Sequence, residues 1–115
     1  MLRDGVYVLT YTGDAYAARG VFVARKAAFF GVGQTGAIYE GSFWLDRKTD
    51  RMLVDGCVRF RPGTPLIFGG VAGDDGLIIP FKGQSTAGDP YLSYVYTIYD
   101  KPVECALEYM GPIPG

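Results

Sequence analysis

The sequence predicts an all-β fold, an antiparallel barrel or sandwich, and three observations lead to it. The chain has 17 glycines, nine tyrosines and seven phenylalanines, a composition typical of short strands joined by tight turns. Apolar and polar residues alternate with a period of two in many segments, and turn residues separate these segments at intervals of about ten residues. No segment has the composition and length of a convincing helix. We therefore expect eight or nine strands in one domain spanning residues 1–115.

The clearest alternation runs from residue 37 to residue 45. One face of this strand carries Tyr39, Gly41, Phe43 and Leu45, and the opposite face carries Ile38, Glu40, Ser42 and Trp44. The first face is expected to point into the core and the second to point outwards. A glycine between large side chains is typical of a strand that bends across a crowded interior.

The remaining segments are assigned in the same way. The other expected strands are 6–12, 18–25, 28–33, 51–60, 66–72, 77–82, 91–99 and 103–110. Residues 14–19 are interpreted as a connection, residues 83–90 as a polar loop and residues 111–115 as an irregular tail. The turn at residues 25–27 lacks the glycine that tight hairpins prefer. Pro80 cannot donate to a strand ladder, so its strand is expected at an edge or beside a seam.

Repeated mid-strand glycines favour the barrel over the sandwich, because tightly coiled strands need bends. The interior of an eight-stranded barrel is just filled by side chains, or it holds one small ligand. The candidate interior residues are Tyr7, Tyr39, Phe43, Phe60, Tyr94 and Tyr96. We expect these rings to fill the barrel.

Composition and charge exclude several classes of function. The chain has 11 basic and 12 acidic residues, so its net charge of −1 does not favour direct nucleic-acid binding. It has no histidine, which removes the commonest general base and the commonest metal ligand. No catalytic, cofactor or metal site is predicted. The start of the chain lacks an apolar signal core, and no apolar run approaches the length of a membrane helix, so a cytoplasmic location is expected.

The two cysteines are expected to be free thiols. Strand phase places Cys57 on an outward face and Cys105 on an inward face. Two free thiols agree with a reducing compartment.

Four segments in the first half of the chain carry a family resemblance: Asp-Gly-Val-Tyr at 4–7, Gly-Val-Phe-Val at 20–23, Gly-Val-Gly at 31–33 and Ile-Tyr-Glu-Gly-Ser-Phe at 38–43. Together they resemble the GrlR-like family of type III secretion negative regulators, which are small lipocalin-like barrels. The resemblance implies an eight-stranded antiparallel barrel and a non-enzymatic bacterial regulator. It also implies a homodimer that binds another protein, such as a transcriptional regulator. The mixed charges at residues 46–50 depart from the acidic run that some family members carry there.

The candidate partner surface centres on Trp44, because an exposed tryptophan is a common interface anchor. We expect it to join outward valine and phenylalanine side chains of the second and third strands. The surface is extended by the charged turn residues Asp46, Arg47, Lys48 and Asp50. The alternative is that a helical turn or the tail covers Trp44.

Two other functional interpretations remain open from the sequence. Tyrosine hydroxyls lining the barrel would orient a small apolar ligand, although such rings more often pack at barrel mouths. Cys57 lies in phase with Asp55 and Arg59, and a nearby cation activates a thiol, but no oriented base accompanies it. An enzyme is therefore not expected.

Overall fold

The computed structural model describes residues 3–12, 17–66, 69–86, 91–96 and 101–114. The strands are β1 (Gly5–Thr12), β2 (Ala17–Arg25), β3 (Ala28–Gly33), β4 (Ile38–Asp46), β5 (Arg51–Phe60), β6 (Leu77–Thr86), β7 (Tyr91–Tyr96) and β8 (Lys101–Gly111). Neighbouring strands are antiparallel, and the described residues contain no helix. The prediction of an all-β antiparallel fold is confirmed.

Each strand pairs with the next one along the chain, and β8 pairs with β1, so the sheet closes into a barrel. Consecutive antiparallel strands joined by short turns become neighbours, as β2 and β3 do, and β5 and β6 are also neighbours although residues 61–76 separate them. The β5–β6 pairing is long and runs from Arg51 opposite Thr86 to Phe60 opposite Leu77. Among the residues that the structure describes, the β6–β7 pairing covers Phe81 to Gln84 on β6.

A strand was predicted at residues 66–72, of which the structure describes residues 66 and 69–72. For these residues the prediction is wrong. The segment forms only an isolated bridge between Pro65 and Val71. Gly69 and Gly70 have φ values of 104° and 79°, which turn the chain back on itself. The result is a looped connection from β5 to β6.

Strand β6 is longer than predicted. It continues to Thr86, and Gly83 and Gln84 pair with Tyr94 and Ser93 on β7. These residues belong to the segment that was expected to be a polar loop, so that prediction is wrong for residues 83–86. Backbone pairing to strands on both sides outweighs their polar composition. Residues 87–90 lie outside the described part of the chain.

Other boundaries shift by a few residues. Strand β2 begins at Ala17, one residue before the expected start at Ala18, so the connection expected at residues 14–19 does not include residues 17–19. Strand β8 begins at Lys101, two residues before the expected start, and includes Pro102. The expected strand 91–99 is described to Tyr96, and residues 97–99 and 13–16 lie outside the described part.

Pro80 lies opposite Cys57 on β5, and the described β6–β7 pairing begins one residue later, at Phe81. Strand β6 pairs with β5 on one side and with β7 on the other. The expectation that the strand of Pro80 lies at a sheet edge is therefore wrong, and the alternative of a seam beside Pro80 stays a prediction.

Aromatic rings pack against one another in the described interior. The Tyr7 ring stacks on Phe22 with centroids 4.9 Å apart, and Tyr109 meets Tyr7 edge-on at 5.3 Å. Four of the candidate interior residues, Tyr7, Tyr39, Phe43 and Phe60, are buried. The backbones of Tyr94 and Tyr96 lie in β7, and their side chains are outside the described part. Leu45 was expected on the core face but is exposed, because β4 extends here beyond the first residue of β3.

The start of the chain is attached to the β1–β8 junction. The Tyr7 hydroxyl donates a hydrogen bond of 2.6 Å to the carbonyl oxygen of Arg3. The Arg3 guanidinium lies 3.7 Å from the ring centroid of Tyr109, a cation–π contact with β8. Burial raises the pKa of the Tyr7 phenol, so the hydroxyl stays protonated and remains a donor.

The β2–β3 hairpin turns through two non-glycine residues with positive φ, Lys26 at 50° and Ala27 at 65°. The Asp4 carboxylate accepts a 3.0 Å hydrogen bond from the Lys26 N–H and helps to hold this turn. Residues with a Cβ rarely adopt this backbone region, so the turn is strained.

Replacing Lys26 with glycine is expected to raise the free energy of unfolding by about 0.5 kcal/mol, because glycine adopts positive φ without a Cβ clash. The matched control is Lys48→Gly, in the β4–β5 turn, where φ is not positive and where glycine only adds freedom to the unfolded chain. Urea unfolding measures both. An equal loss of stability in the two variants would contradict the strain assigned to the hairpin.

Two interior rings lie over glycines. A Cβ at Gly41 would be 2.6 Å from the Gly56 Cα and 2.9 Å from the tip of the Phe29 ring, and it would also meet the Asp55 carbonyl oxygen. A Cβ at Gly31 would be 2.6 Å from the Phe22 Cβ and would collide with the Tyr39 ring. These glycines are required by close approach, and backbone neighbours cannot move aside cheaply.

Gly41→Ala is accordingly expected to lower the free energy of unfolding by about 2 kcal/mol or more. Gly73→Ala is the control, because a Cβ there meets nothing within 4 Å and its φ is ordinary. Thermal or urea unfolding of the two variants gives the comparison. Similar stabilities would show that β4 and β5 do not pack as closely as described.

Candidate protein-binding surface

The outer side of strands β1 to β4 carries a continuous apolar surface. In the first row Val8, Val21, Val32 and Ile38 lie opposite one another across consecutive strands. In the second row Val6, Val23 and Phe30 lie opposite one another across β1, β2 and β3. The β4 residue opposite Phe30 is the charged Glu40, which ends the apolar row. We call these seven apolar residues, Val6, Val8, Val21, Val23, Phe30, Val32 and Ile38, the apolar face.

The apolar face is open to solvent at its centre. Val21, Phe30 and Val32 are 48%, 51% and 46% exposed, and the other four members are half-buried. Apolar side chains scattered singly on a surface are ordinary, but a contiguous group usually marks a contact site.

Strand period explains why these residues share a side. In β2 and β3 the inward positions are small or aromatic residues such as Phe22, Ala24 and Gly31, so the valines between them must point outwards. These valines and Phe30 suit a strand equally well on either side. The sequence pattern thus makes both sides of β2 and β3 apolar.

Charged residues surround the apolar face. Arg59 on β5 pairs with Glu40 on β4 at 3.1 Å, and both side chains are about half exposed, at 48% and 45%. Glu108 on β8 lies opposite Val8 and is exposed. Arg19 and Arg25 are exposed at the two ends of the β2 outer row. An apolar centre with a charged rim is the usual arrangement of a protein contact surface.

The turn that was expected to extend the partner surface forms a separate group, which we call the turn surface: Trp44, Leu45 and residues 46–50. The Asp46 carboxylate accepts hydrogen bonds from the Lys48 N–H at 3.1 Å and from the Thr49 hydroxyl at 3.1 Å. Asp50 has a positive φ of 55° and ends the turn. Arg47 and Lys48 are exposed, and Asp46 is half-buried.

Trp44 is exposed at 44%, as its strand phase predicted, so the alternative in which other residues cover it does not apply to the described chain. The outward residues of β2 and β3 that it was expected to join lie some distance away along the sheet. β3 begins at Ala28, opposite Ser42, and Trp44 lies beyond this point with Leu53 of β5 as its neighbour. Four residues of strand, about 13 Å, separate Trp44 from Glu40 beside Phe30.

Sequence reasoning missed part of the apolar face. Val6, Val8 and Ile38 belong to it, but they come from strands that had not been connected with β2 and β3. The alternation at residues 6–12 was visible, although only the cross-strand register shows that its valines align with Val21 and Val23. Register is set by turns and pairing, which the alternation alone does not give.

Neither thiol takes part in a disulfide. Cys57 is half-buried and Cys105 is buried, so the predicted free state and the predicted faces are confirmed. Cys57 lies opposite Glu40, next to the Glu40–Arg59 ion pair. This ion pair engages the carboxylate of the residue opposite Cys57.

The small-ligand interpretation depends on free volume inside the barrel, and the described interior holds several aromatic rings. The Tyr39 ring lies over Gly20 and Gly31, and the Phe29 ring lies over Gly41 and Gly56. The ring centroids of Phe22 and Phe81 lie 6.2 Å and 6.3 Å from that of Phe29. A ligand cavity needs room that these rings take up.

Comparisons with protein-family models, with curated proteins and with solved structures found no match to this chain. Within the described ranges, no helix has the length and apolar character needed to cross a membrane. The same residues contain no cluster of three cysteine or acidic side chains suited to hold a metal ion.

The turn surface and the apolar face are expected to behave independently. Trp44 is partly solvated, so acrylamide should quench its fluorescence, and Phe30→Ser should leave this quenching unchanged because the two residues are far apart along the sheet. Leu53→Ala should increase the quenching, since Leu53 is the cross-strand neighbour of Trp44. A response to the Phe30 variant as large as that to the Leu53 variant would contradict the separation.

Proposed function

We propose that this chain is a non-enzymatic regulatory or adaptor protein that acts by binding another protein through the outer side of its barrel. The observation that carries the proposal is the apolar face, a contiguous group of exposed aliphatic and aromatic side chains on four neighbouring strands. Leaving it in water costs free energy that a partner would recover.

A protein partner suits this surface better than a small molecule. The rows lie on the convex outside of the sheet, whereas small ligands are bound in concave pockets. The charged rim of Glu40, Arg59 and Glu108 would give orientation and specificity to a protein contact.

The proposal also includes what the resemblance to the GrlR-like family implies. It assigns the chain a lipocalin-like barrel, a bacterial cytoplasmic setting and a role like that of negative regulators of type III secretion, with a transcriptional regulator as one kind of partner. Homodimerisation is assigned to the turn surface. Trp44 and Leu45 are exposed there beside both acidic and basic residues, a mixture that can complement its own copy.

The experiment is affinity capture from the native host with the tagged chain and two matched variants. Val32→Ser replaces an exposed valine of the apolar face, and Val71→Ser replaces an exposed valine of the β5–β6 connection. Partner retention should fall about tenfold for the first variant, about 1.4 kcal/mol, and stay unchanged for the second.

Both substitutions remove exposed side chains, so both variants should unfold at nearly the wild-type urea concentration. Equal retention of every captured protein by the wild type and the Val32 variant would contradict the proposal. So would the release of a copurified apolar small molecule on unfolding, because this result would favour the ligand-binding alternative.

A further inference from the structure

The central strand of the apolar face has a cation at each end. The outward residues of β2 are Arg19, Val21, Val23 and Arg25 in order, since alternate residues of a strand share a face. Both arginines are exposed. Within the described residues neither guanidinium forms an ion pair, whereas Arg59 does so with Glu40. At one end Asp4 is engaged by the backbone N–H of Lys26, and at the other Gln34 accepts a hydrogen bond from the Arg19 N–H.

The strip between these cations has the width of one α-helix. Val21 lies opposite Val32 and Val23 lies opposite Phe30, so β2 and β3 together present four apolar side chains. Two neighbouring strands are about 4.8 Å apart, and a helix with its side chains is about 10 Å wide. A single helix lying along β2 would cover the most exposed members of the face.

We propose that the occupant of this strip is an amphipathic helix of a partner protein that carries an acidic residue at each end of its apolar side. The inference rests on the proposed function and narrows the partner to this chemistry. Arg19 and Arg25 are six residues apart on the strand, which corresponds to about 20 Å. A helix covers about 21 Å in 14 residues, close to four full turns, so acidic residues about 14 positions apart would meet both arginines from the same side.

An exposed apolar surface could also bind a second copy of the chain or a lipid membrane. The charges around the strip favour a partner helix over both. A second copy of the chain would bring two more arginines into the same dry interface, and burying unpaired cations is costly. An anionic lipid surface would extend beyond β2 and β3 and would also meet Glu40 and Glu108, which it would repel. A helix covers the strip and leaves those acids at its sides.

The test uses two helical peptides of 20 residues with leucines along one side. One carries glutamates 14 positions apart at the ends of the leucine row, and the other carries lysines at the same positions. Isothermal titration calorimetry against the full chain is expected to show about tenfold tighter binding of the glutamate peptide at low salt. The double variant Arg19→Glu/Arg25→Glu should reverse this order.

The control is Arg51→Glu/Lys82→Glu, which reverses two exposed cations on β5 and β6, away from the strip, and should preserve the wild-type order. If reversal at Arg19 and Arg25 prevents folding, Arg19→Gln/Arg25→Gln replaces it and should make the two peptides bind equally. Circular dichroism establishes that each variant is folded.

Equal binding of the two peptides to the wild type would overturn the inference. So would co-sedimentation of the chain with phosphatidylglycerol vesicles that Arg19→Glu/Arg25→Glu abolishes, or a dimer that the same variant dissociates in sedimentation velocity. If Phe30→Ser weakens both peptides while the arginine variants change neither, the apolar face binds proteins but not acidic helices. If Val32→Ser also leaves capture of cellular proteins unchanged, the proposed function itself fails.

Discussion

The barrel depends on the contact between aromatic rings and glycine backbones inside the sheet. Phe29 of β3 lies over Gly41 and Gly56, the directly opposed residues of β4 and β5. Tyr39 of β4 lies over Gly20 and Gly31 in the same way. Each ring thus covers backbone that has no side chain of its own, and the strands bend around it.

This packing also determines what lies outside. Side chains alternate with a period of two, so a shift of one residue in register would bring every inward residue to the surface. The rings fit only over glycines, and they therefore fix the register of β2 to β5. Val21, Phe30 and Val32 are then obliged to face water, although their apolar character would suit an interior equally well. The packing of rings over glycines in the interior thus determines that the apolar face is exposed.

The sequence alone predicted the strands with strong alternation. It did not predict the segments whose structure depends on pairing with other strands. β3 and β5 were predicted residue for residue, because their apolar periodicity is sharp and their ends carry turn residues. The segment around Gly69 and Gly70 looked like a strand from its apolar residues, yet the positive φ of both glycines makes it a loop. Residues 83–86 looked like a loop, yet pairing with β5 and β7 makes them strand. For the site, phase correctly placed Trp44 outside, but its neighbours depend on how far β3 extends, and periodicity does not report this.

The two thiols differ in their accessibility, and this difference has a practical consequence. Cys57 is half-buried on the outer side, one strand beyond Glu40, whereas Cys105 is buried in the core. A thiol-directed fluorophore would therefore attach to one position in the native fold without any engineered cysteine. That position adjoins the charged rim of the apolar face, so the natural sequence already provides a reporter for occupancy of its own surface.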